Sequence, residues 1–445
     1  MQELMMEVYP LGLTGAPHQQ DHVKVERLLK ILDWIPHWQK LGVTTVYFAP
    51  LFSSGTHGYD THDYRQIDPR LGDNETFQRV VAALHEAGIK VIIDAVFNHV
   101  GRGFPAFQEL LAQREQARHK DWFYVDFHGN NQHNDGLYYE AWEGHEELVK
   151  LNLQNPEVVQ YHLDTVKFWI DYFDIDGLRL DVAYLLDESF LQRLRHETEQ
   201  MKDNFFLVGE MIHGDYRRIV AEDKLHSATN YELYKGLYSS LNDRNLFEIA
   251  HSLQRQFGPE EWALYPELTL LTFADNHDVS RLASILKDSE LLPVAYGILL
   301  TMPGIPCLYY GSEWGILGNK AEGDWALRPQ LDAPQWNELT STIQVLASWR
   351  AHSKALCKGD FQNIEIRNTY WLFKRSSDKD TVYIGVNLED QVESLPLHDE
   401  VKGQIFDMDE PITASAEGAM EQGSPFQGNE LKIPAKFVRL LQVKS

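Results

Sequence analysis

The sequence predicts a (β/α)8 barrel with an insertion after its third strand and an antiparallel β-sandwich at its C-terminal end. Two observations predict the barrel: short apolar runs alternate with amphipathic helical segments, and several of these runs end in a carboxylate or a histidine. After about residue 355 the pattern changes to short alternating strands with polar turns, which is typical of antiparallel sheets. The alternative is an open, doubly wound sheet, but no glycine-rich phosphate loop follows the first strand.

The predicted elements follow one another in strand–helix order. The eight strands are expected at residues 6–11 and 43–51, in runs ending at Asp94, Asp181 and Glu210, near 228–233, before Asp275, and at 307–310. A first helix is expected at 23–40, where Pro36 should kink or shorten it. A second is expected at 75–86, with Gly88 as its C-terminal cap. Further helices are expected to begin at Asn155, which acts as an N-cap, and to cover 336–352. The C-terminal strands are expected at 364–367, 370–375, 381–387 and 437–443.

The stretch from about residue 101 to 153 interrupts the alternation and is too long for an ordinary loop, so we interpret it as an inserted domain. The predicted organisation is a barrel formed by residues 1–100 and 154–354, an insertion at 101–153, and a C-terminal domain at 355–445.

Composition excludes several classes of partner. The net charge of -26 argues against binding to nucleic acid or to an anionic lipid surface. The two cysteines form no CxxC motif, which favours reduced thiols over a zinc site. Because residues 1–7 lack the pattern of a signal peptide and no run is long enough to cross a bilayer, we expect a cytoplasmic protein without a membrane span.

Six motifs, in this order, resemble landmarks of the α-amylase family of glycoside hydrolases (family 13). They are GYDTHDY at 58–64, DAVFNH at 94–99, GLRLD at 177–181, GE at 209–210, FADNHD at 273–278 and GIPCLYYG at 304–311. The resemblance covers nearly the whole chain and is nearest the cyclomaltodextrinase, neopullulanase and maltodextrin-hydrolase members. It implies a retaining hydrolase that cleaves α-glucosidic bonds in maltodextrin-like or cyclic malto-oligosaccharides through a covalent glycosyl-enzyme.

The resemblance also implies a role for each catalytic carboxylate. Asp181 is implied as the nucleophile, Glu210 as the acid/base, and Asp278 as a third acid that holds sugar hydroxyls. Arg179 lies two residues before Asp181 on the same strand, so both side chains face the same side and the guanidinium can keep the carboxylate ionised. Retention of configuration requires Asp181 and Glu210 to lie about 5–5.5 Å apart.

Seven further positions match substrate-binding residues of the family: Tyr59, Asp94, His99, Arg179, His277, Asp324 and Arg328. Structural alternatives remain open for most of them. Asp94 can cap a strand end, and the two histidines can be satisfied core residues. Tyr59 can be core packing, and the Asp324–Arg328 pair can be a surface salt bridge.

The sequence departs from the family pattern on the leaving-group side. Asp181 is followed by Val182-Ala183-Tyr184-Leu185, and Ile212 occupies a position where tryptophan is common. These departures leave linkage and chain length open. A transglycosylase, an α-1,6-acting oligosaccharide glucosidase and, more remotely, a non-catalytic sugar-binding or scaffold protein are therefore alternative functions.

No metal or other cofactor is predicted. Asn98 matches a common calcium ligand, but the remaining oxygen ligands that a hard cation needs are not evident. The expected partner is an oligosaccharide substrate, and the expected oligomeric state is a monomer or a homodimer.

Overall fold

The computed structural model describes residues 4–410, 413–414, 420–421 and 423–444. Its barrel strands are β1 Met5–Val8, β2 Thr45–Phe48, β3 Lys90–Ala95, β4 Gly177–Leu180, β5 Phe206–Gly209, β6 Ser227–Ala228, β7 Leu271–Phe273 and β8 Ile305–Tyr309. They form a parallel sheet in the order β6-β5-β4-β3-β2-β1-β8-β7. A parallel bridge between Thr229 and Leu271 joins the two edge strands. The sheet therefore closes, and the predicted barrel is confirmed.

Residues facing the barrel axis form a small core separate from the larger one. Met5, Tyr47, Ile92, Val208 and Cys307 belong to this inner cluster, and each is at most 4% exposed. The larger cluster fills the layer between the strands and the surrounding helices. This arrangement follows from the alternation of side chains along each strand.

Helices surround the barrel. The longer ones are α1 Ile35–Leu41, α2 Asn74–Glu86, α3 Pro156–Phe173, α4 Glu188–Met201, α5 Tyr231–Asn242, α6 Phe247–Phe257, α7 Leu292–Thr301 and α8 Glu338–Ala351. Shorter helices lie at Pro10–Leu13, Leu282–Ile285 and Lys354–Lys358. As predicted, Asn155 caps α3, and its side chain accepts a hydrogen bond from the Glu157 amide at 2.9 Å.

Local sequence signals explain where the predicted boundaries were wrong. Pro36 lies in the first turn of α1, after a 3-10 helix at Arg27–Asp33, so it begins a helix rather than kinking one. The first strand ends at Val8 because Pro10 begins a short helix. The sixth strand ends at Ala228, since Asn230 caps α5 by accepting from the Leu233 amide. Only a 3-10 turn at Tyr216–Arg218 connects β5 to β6.

The insertion lies between β3 and α3. It contains a helix at Pro105–Gln113 and a small antiparallel sheet formed by His99–Gly101, His145–Lys150 and Ala141–Trp142. A further two-stranded ladder pairs Val125–Asp126 with Tyr138–Tyr139. Because His99 is also the last residue of the DAVFNH motif, the insertion begins directly at the end of the third barrel strand.

The described C-terminal residues form a six-stranded antiparallel sheet and a separate two-stranded ladder between Thr413–Ala414 and Met420–Glu421. The six strands are β9 Asp360–Ile366, β10 Tyr370–Ser376, β11 Asp380–Asn387, β12 Glu393–Asp407, β13 Ser424–Ile433 and β14 Phe437–Lys444, in the order β9-β10-β11-β14-β12-β13. The six-stranded sheet folds over itself, so that Gly385 on β11 faces Leu431 and Ile433 on β13. A bulge in β12 between Pro396 and Val401 accompanies this bend.

Within the described ranges, none of the helices combines the length and the apolar character needed to cross a bilayer.

Candidate active site

A cleft of about 610 Å³ lies where the carboxyl ends of the strands meet the insertion. Its walls come from the strand ends, from the loop after β8 and from the insertion. The lining residues that the argument uses are Tyr59, His99, Trp142, Glu143, His145, Asp181, Tyr184, Glu210, Ile212, Asp278, Asp324 and Arg328. The position at the carboxyl face agrees with the general location of active sites in barrels of this architecture.

Arg179 connects three carboxylates at the floor of the cleft. Its Nη1 donates to Asp181 Oδ1 at 2.8 Å and to the two Asp94 oxygens at 2.9 and 3.0 Å. Its Nη2 lies 3.1 Å from Glu210 Oε2. All four residues are at most 5% exposed. The rigid fork of a guanidinium is suited to this arrangement, because a single ammonium could not contact all three acids with fixed geometry.

The register of neighbouring strands brings these groups together. Arg179 is paired with Asp94 across β3 and β4, and with Val208 across β4 and β5. Side chains at equivalent registers of a parallel sheet point to the same face. Asp181 and Glu210 follow immediately after β4 and β5, so both carboxylates emerge beside the Arg179 guanidinium.

Asp94 has two further donors on its Oδ2 atom. The Tyr47 hydroxyl donates at 2.9 Å and the Tyr59 hydroxyl at 3.0 Å. Tyr59 also contacts His277 Nε2 at 2.5 Å, with its ring stacked at 12° to the imidazole. Asp94 therefore joins the Arg179 cluster to the histidine on the other side of the cleft.

His277 lies between two carboxylates. Its Nδ1 contacts Glu7 from β1, and its Nε2 lies 3.0 Å from Asp278 Oδ2. Burial by itself would lower the pKa of His277, but the charges of Asp278 and Glu7 raise it to about 10. The imidazole is therefore charged at neutral pH and donates from both nitrogens.

Asp278 is held as a carboxylate. Burial would raise the pKa of Asp278, but the positive charges of His277 and Arg328 outweigh burial and lower it. Arg328 Nη2 contacts Asp278 Oδ1 at 2.9 Å, and the Arg328 guanidinium lies 4.5 Å from the centre of the Tyr9 ring. Asp324 lies farther out and is exposed, 3.7 Å from Arg328 and 2.6 Å from Lys320 Nζ.

The pKa values of the other two acids, Glu210 and Asp181, are shifted upwards. Burial raises the pKa of Glu210; Arg179 opposes this shift and the charge of Asp278 adds to it. Burial also raises the pKa of Asp181, again against the charge of Arg179. If Asp94, Asp181 and Glu210 are all ionised, the cluster that they form with Arg179 has a net charge of about -2. Repulsion between the carboxylates therefore favours one bound proton in the cluster.

Val182, directly after Asp181, has a left-handed backbone with a φ of 41°. This conformation is unfavourable for a β-branched residue. It directs the Val182 amide to Glu210 Oε2 at 2.9 Å. Strain of this kind is concentrated at functional sites. Here the strained residue follows Asp181, and its amide donates to the side chain of Glu210.

His99 is buried beside Asp181. Its Nε2 lies 3.9 Å from Asp181 Oδ2, and no described residue is close enough to hydrogen-bond that nitrogen. Burial lowers the pKa of His99 to about 3, so the ring is neutral at physiological pH. A neutral imidazole with a free nitrogen at the wall of the cleft is available to a ligand hydroxyl.

All ten residues predicted for the site lie in or beside this cleft, with Asp94, Arg179 and His277 beneath its surface. The sequence analysis missed Glu7, Tyr47 and the insertion residues Trp142, Glu143 and His145. Glu7 could have been found by the rule that identified the other acids, because it interrupts the buried run Met5-Met6-Glu7-Val8. The insertion residues have no comparable signal.

The surroundings of Asn98 are mixed in charge. A cavity of about 440 Å³ next to Asn98 is lined by Lys150 and Arg218 and also by Asp187 and Glu188. The Asn98 side-chain nitrogen lies 3.2 Å from His99 Nδ1. Within the described ranges, no group of three or more His, Cys, Asp or Glu side chains is arranged to hold a metal. The loop after β4 also places Leu185 in this cavity and not in the cleft of the candidate active site.

Comparison with known proteins identifies the family. The α-amylase catalytic-domain model matches residues 26–358, so the chain belongs to the α-amylase family. A cyclomaltodextrinase of Geobacillus thermopakistaniensis is 30% identical over 389 residues, which cover 84% of this chain and 64% of that protein. An intracellular maltogenic amylase of Bacillus subtilis is 33% identical over 295 residues, covering 65% of this chain and 48% of the relative.

Solved structures agree with this assignment. A debranching enzyme from Nostoc punctiforme matches with a TM-score of 0.79 at 27% identity, covering 99% of this chain and 98% of that one. The chain spans only about half to two thirds of the length of the two curated relatives.

Proposed function

We propose that this protein is a retaining α-glycoside hydrolase acting on linear or cyclic maltodextrin-like oligosaccharides. The observation that supports this most directly is the single guanidinium of Arg179 contacting Asp94, Asp181 and Glu210 at the floor of one cleft. Membership of the α-amylase family and likeness to a cyclomaltodextrinase and a maltogenic amylase support the substrate class.

Asp181 is the proposed nucleophile. One Asp181 oxygen attacks the anomeric carbon, the glycosidic C–O bond breaks, and a covalent glycosyl ester forms. Arg179 Nη1 donates to Asp181 Oδ1 at 2.8 Å, and this contact favours the ionised form that the nucleophile needs.

Glu210 is the proposed acid and base. It donates a proton to the leaving oxygen in the first step, and takes a proton from the attacking water when the ester is hydrolysed. Its elevated pKa suits the first role. Both contacts of Glu210 described above use Oε2, so we assign proton transfer to Oε1.

The remaining residues are proposed to bind the sugar that becomes attached to Asp181. The Asp278 carboxylate accepts from sugar hydroxyls and favours positive charge on the ring in the transition state. His99 and His277 donate to hydroxyls, while the half-buried Tyr59 ring provides an apolar surface. Arg328 holds Asp278, and Asp324 contacts the glycone at the mouth of the cleft.

Transglycosylation is the second candidate, because an apolar residue lines the leaving-group side. The Ile212 side chain is 42% exposed and lies in the cleft wall. An apolar wall disfavours ordered water and so favours a sugar acceptor over hydrolysis. Formation of products longer than the substrate at high substrate concentration would identify this activity.

A product time course tests the proposal. Wild type, Asp181→Asn and Glu210→Gln are incubated with maltotetraose, β-cyclodextrin, isomaltose-type oligosaccharides and soluble starch, and the products are separated by chromatography. We expect loss of the short or cyclic α-1,4 substrates in the wild type only. Cleavage of isomaltose-type substrates alone would favour the α-1,6-acting alternative. If either variant retained most of the wild-type activity, the assignment of its carboxylate would be wrong.

The cellular setting follows the same relatives. We propose a cytoplasmic location, in keeping with the name of the Bacillus subtilis relative as an intracellular enzyme. The proposed partner is the oligosaccharide itself, and a monomer or homodimer remains the expected state.

A further inference from the structure

The insertion presents a carboxylate to the catalytic cleft from the tip of a tight hairpin. Ala141–Trp142 and His145–Lys150 are antiparallel, with Trp142 paired to His145, so Glu143 and Gly144 alone form the turn. Their φ angles are 46° and 85°. Glu143 lines the cleft, and its Oε1 lies 3.4 Å from the hydroxyl of Tyr184, three residues after Asp181.

Glutamate is a poor residue for this turn. A two-residue hairpin turn with two positive φ angles is of type I′, which favours Asn, Asp or Gly at its first position. A residue with a longer side chain is strained in this backbone conformation. Among the described residues, the one hydrogen-bond partner of the Glu143 carboxylate is Tyr184. The turn therefore does not explain the glutamate, whereas its reach into the cleft does.

The surroundings of Glu143 are suited to a sugar. The rings of Trp142 and His145 stack with centroids 5.3 Å apart and 23° between their planes, and both line the same cleft. An aromatic surface beside a carboxylate can contact the apolar face and the hydroxyls of one pyranose unit.

The position corresponds to the leaving-group side of the scissile bond. Tyr184 follows Val182, whose amide holds Glu210, the proposed proton donor to the leaving oxygen. Asp278 and Arg328 contact each other and belong to the proposed glycone site. The contact between Glu143 and Tyr184 therefore connects the hairpin tip to the segment that holds the proposed proton donor, and on this ground we assign Glu143 to the leaving-group side.

We propose that Glu143, together with the Tyr184 hydroxyl, binds hydroxyl groups of the sugar unit on the leaving-group side and so selects saccharide leaving groups. This inference rests on the proposed hydrolase function. In the free protein Tyr184 donates to Glu143. When a sugar is bound, the carboxylate accepts from sugar hydroxyls, and the Tyr184 hydroxyl is available as a second partner.

The test compares two leaving groups in one enzyme. Glu143→Asn supplies the residue that the turn favours and removes the reach of the carboxylate, and Glu143→Gln removes only the charge. On maltotriose we expect kcat/KM of Glu143→Asn to fall about 10- to 100-fold, the size of a lost hydrogen bond to a charged group. On p-nitrophenyl α-maltoside, whose leaving group has no sugar hydroxyls, kcat/KM should not change.

Controls separate this inference from folding and from the proposed function. Glu115→Asn removes an exposed carboxylate elsewhere in the insertion and should behave as wild type on both substrates. The unfolding midpoint of Glu143→Asn should equal or exceed that of the wild type. If the wild type is active but kcat/KM of Glu143→Asn falls equally on both substrates, or falls on neither substrate, this inference alone is overturned. If the wild type cleaves neither, both proposals fail.

Discussion

At the scale of single residues, Arg179 contacts Asp94, Asp181 and Glu210 with two nitrogens of one planar group. Arg179→Lys keeps the charge but replaces the fork by a single point of contact. We expect this variant to fold and to lose roughly 100-fold in kcat/KM, because Asp181 and Glu210, the proposed nucleophile and acid, are no longer positioned together. Steady-state kinetics and circular dichroism measure both effects, and wild-type kinetics would contradict the role given to Arg179.

The effect of the Glu7 charge can be measured through the pKa of His277. Glu7→Gln keeps the shape of the side chain and removes the charge, so the pKa of His277 should fall below its value of about 10. The charged imidazole stabilises the fold below the ordinary histidine pKa, and this stabilisation is lost as pH rises towards the folded-state pKa. In the variant the loss should therefore occur at lower pH.

A histidine NMR titration of wild type and Glu7→Gln measures this change directly. An unchanged His277 titration would show that Asp278 alone sets the charge of the ring. A parallel measurement of unfolding free energy against pH checks the sign, because the variant should lose the stabilisation due to His277 at a lower alkaline pH than the wild type.

At the scale of elements, the cap of α3 provides a test away from the cleft. Asn155 accepts from the Glu157 amide and donates to the Asp121 carbonyl at 3.0 Å. Asn155→Ala should lower the free energy of unfolding by about 1 kcal/mol, the usual value of an N-cap. Denaturant unfolding measures the loss. We expect kcat/KM to stay at the wild-type value, and a large loss of activity would mean that this helix end influences the site.

Elements with strong local sequence signals were predicted well, whereas elements that depend on neighbouring segments were not. Asn155-Pro156 marks the start of α3 with two independent signals, an N-cap residue and a first-turn proline. Pro36 gives a single signal that is compatible with a kink or with a helix start, and only the preceding 3-10 helix decides between them. Alternation likewise predicted four strands of the C-terminal sheet but missed Glu393–Asp407 and Ser424–Ile433. How the six strands combine into one folded sheet depends on which strands pair.

At the scale of the whole molecule, buried neutral histidines couple stability to pH. His162 on α3 is fully buried among aromatic rings, and neither ring nitrogen has a hydrogen-bond partner in the described part of the chain. Burial lowers the pKa of His162 to about 3. Below the ordinary histidine pKa of about 6.5 the unfolded chain therefore binds more protons, and stability should fall as the pH decreases.

His162→Leu tests this coupling. Removing one such histidine should reduce the slope of unfolding free energy against pH by about 1.4 kcal/mol per pH unit between pH 4 and 6. At neutral pH the variant should be as stable as the wild type or more stable, since an unpaired buried polar group is removed. Urea unfolding at a series of pH values measures the slope, and identical slopes would contradict the assignment.

Sequence patterns were sufficient to predict the architecture of this protein and to locate the candidate catalytic acids. The alternation of buried runs and helices predicted a parallel sheet surrounded by helices, because strands and helices have different periods. The absence of a glycine-rich loop after the first strand and the acids at several strand ends favoured the barrel over an open sheet. The motifs around Asp94, Asp181, Glu210 and Asp278 could be recognised because an acid next to a buried apolar run is physically unusual.

Tertiary structure alone decided which groups meet across distant parts of the chain. Glu7 reaches His277 although 270 positions separate them, and Glu143 reaches Tyr184 across 41 positions. Neither pair has a local signal, since hairpin tips and strand registers become neighbours only when the barrel closes and the insertion packs beside it. The proposed role of Glu143 depends on such a long-range contact, and for this reason the motifs did not predict it.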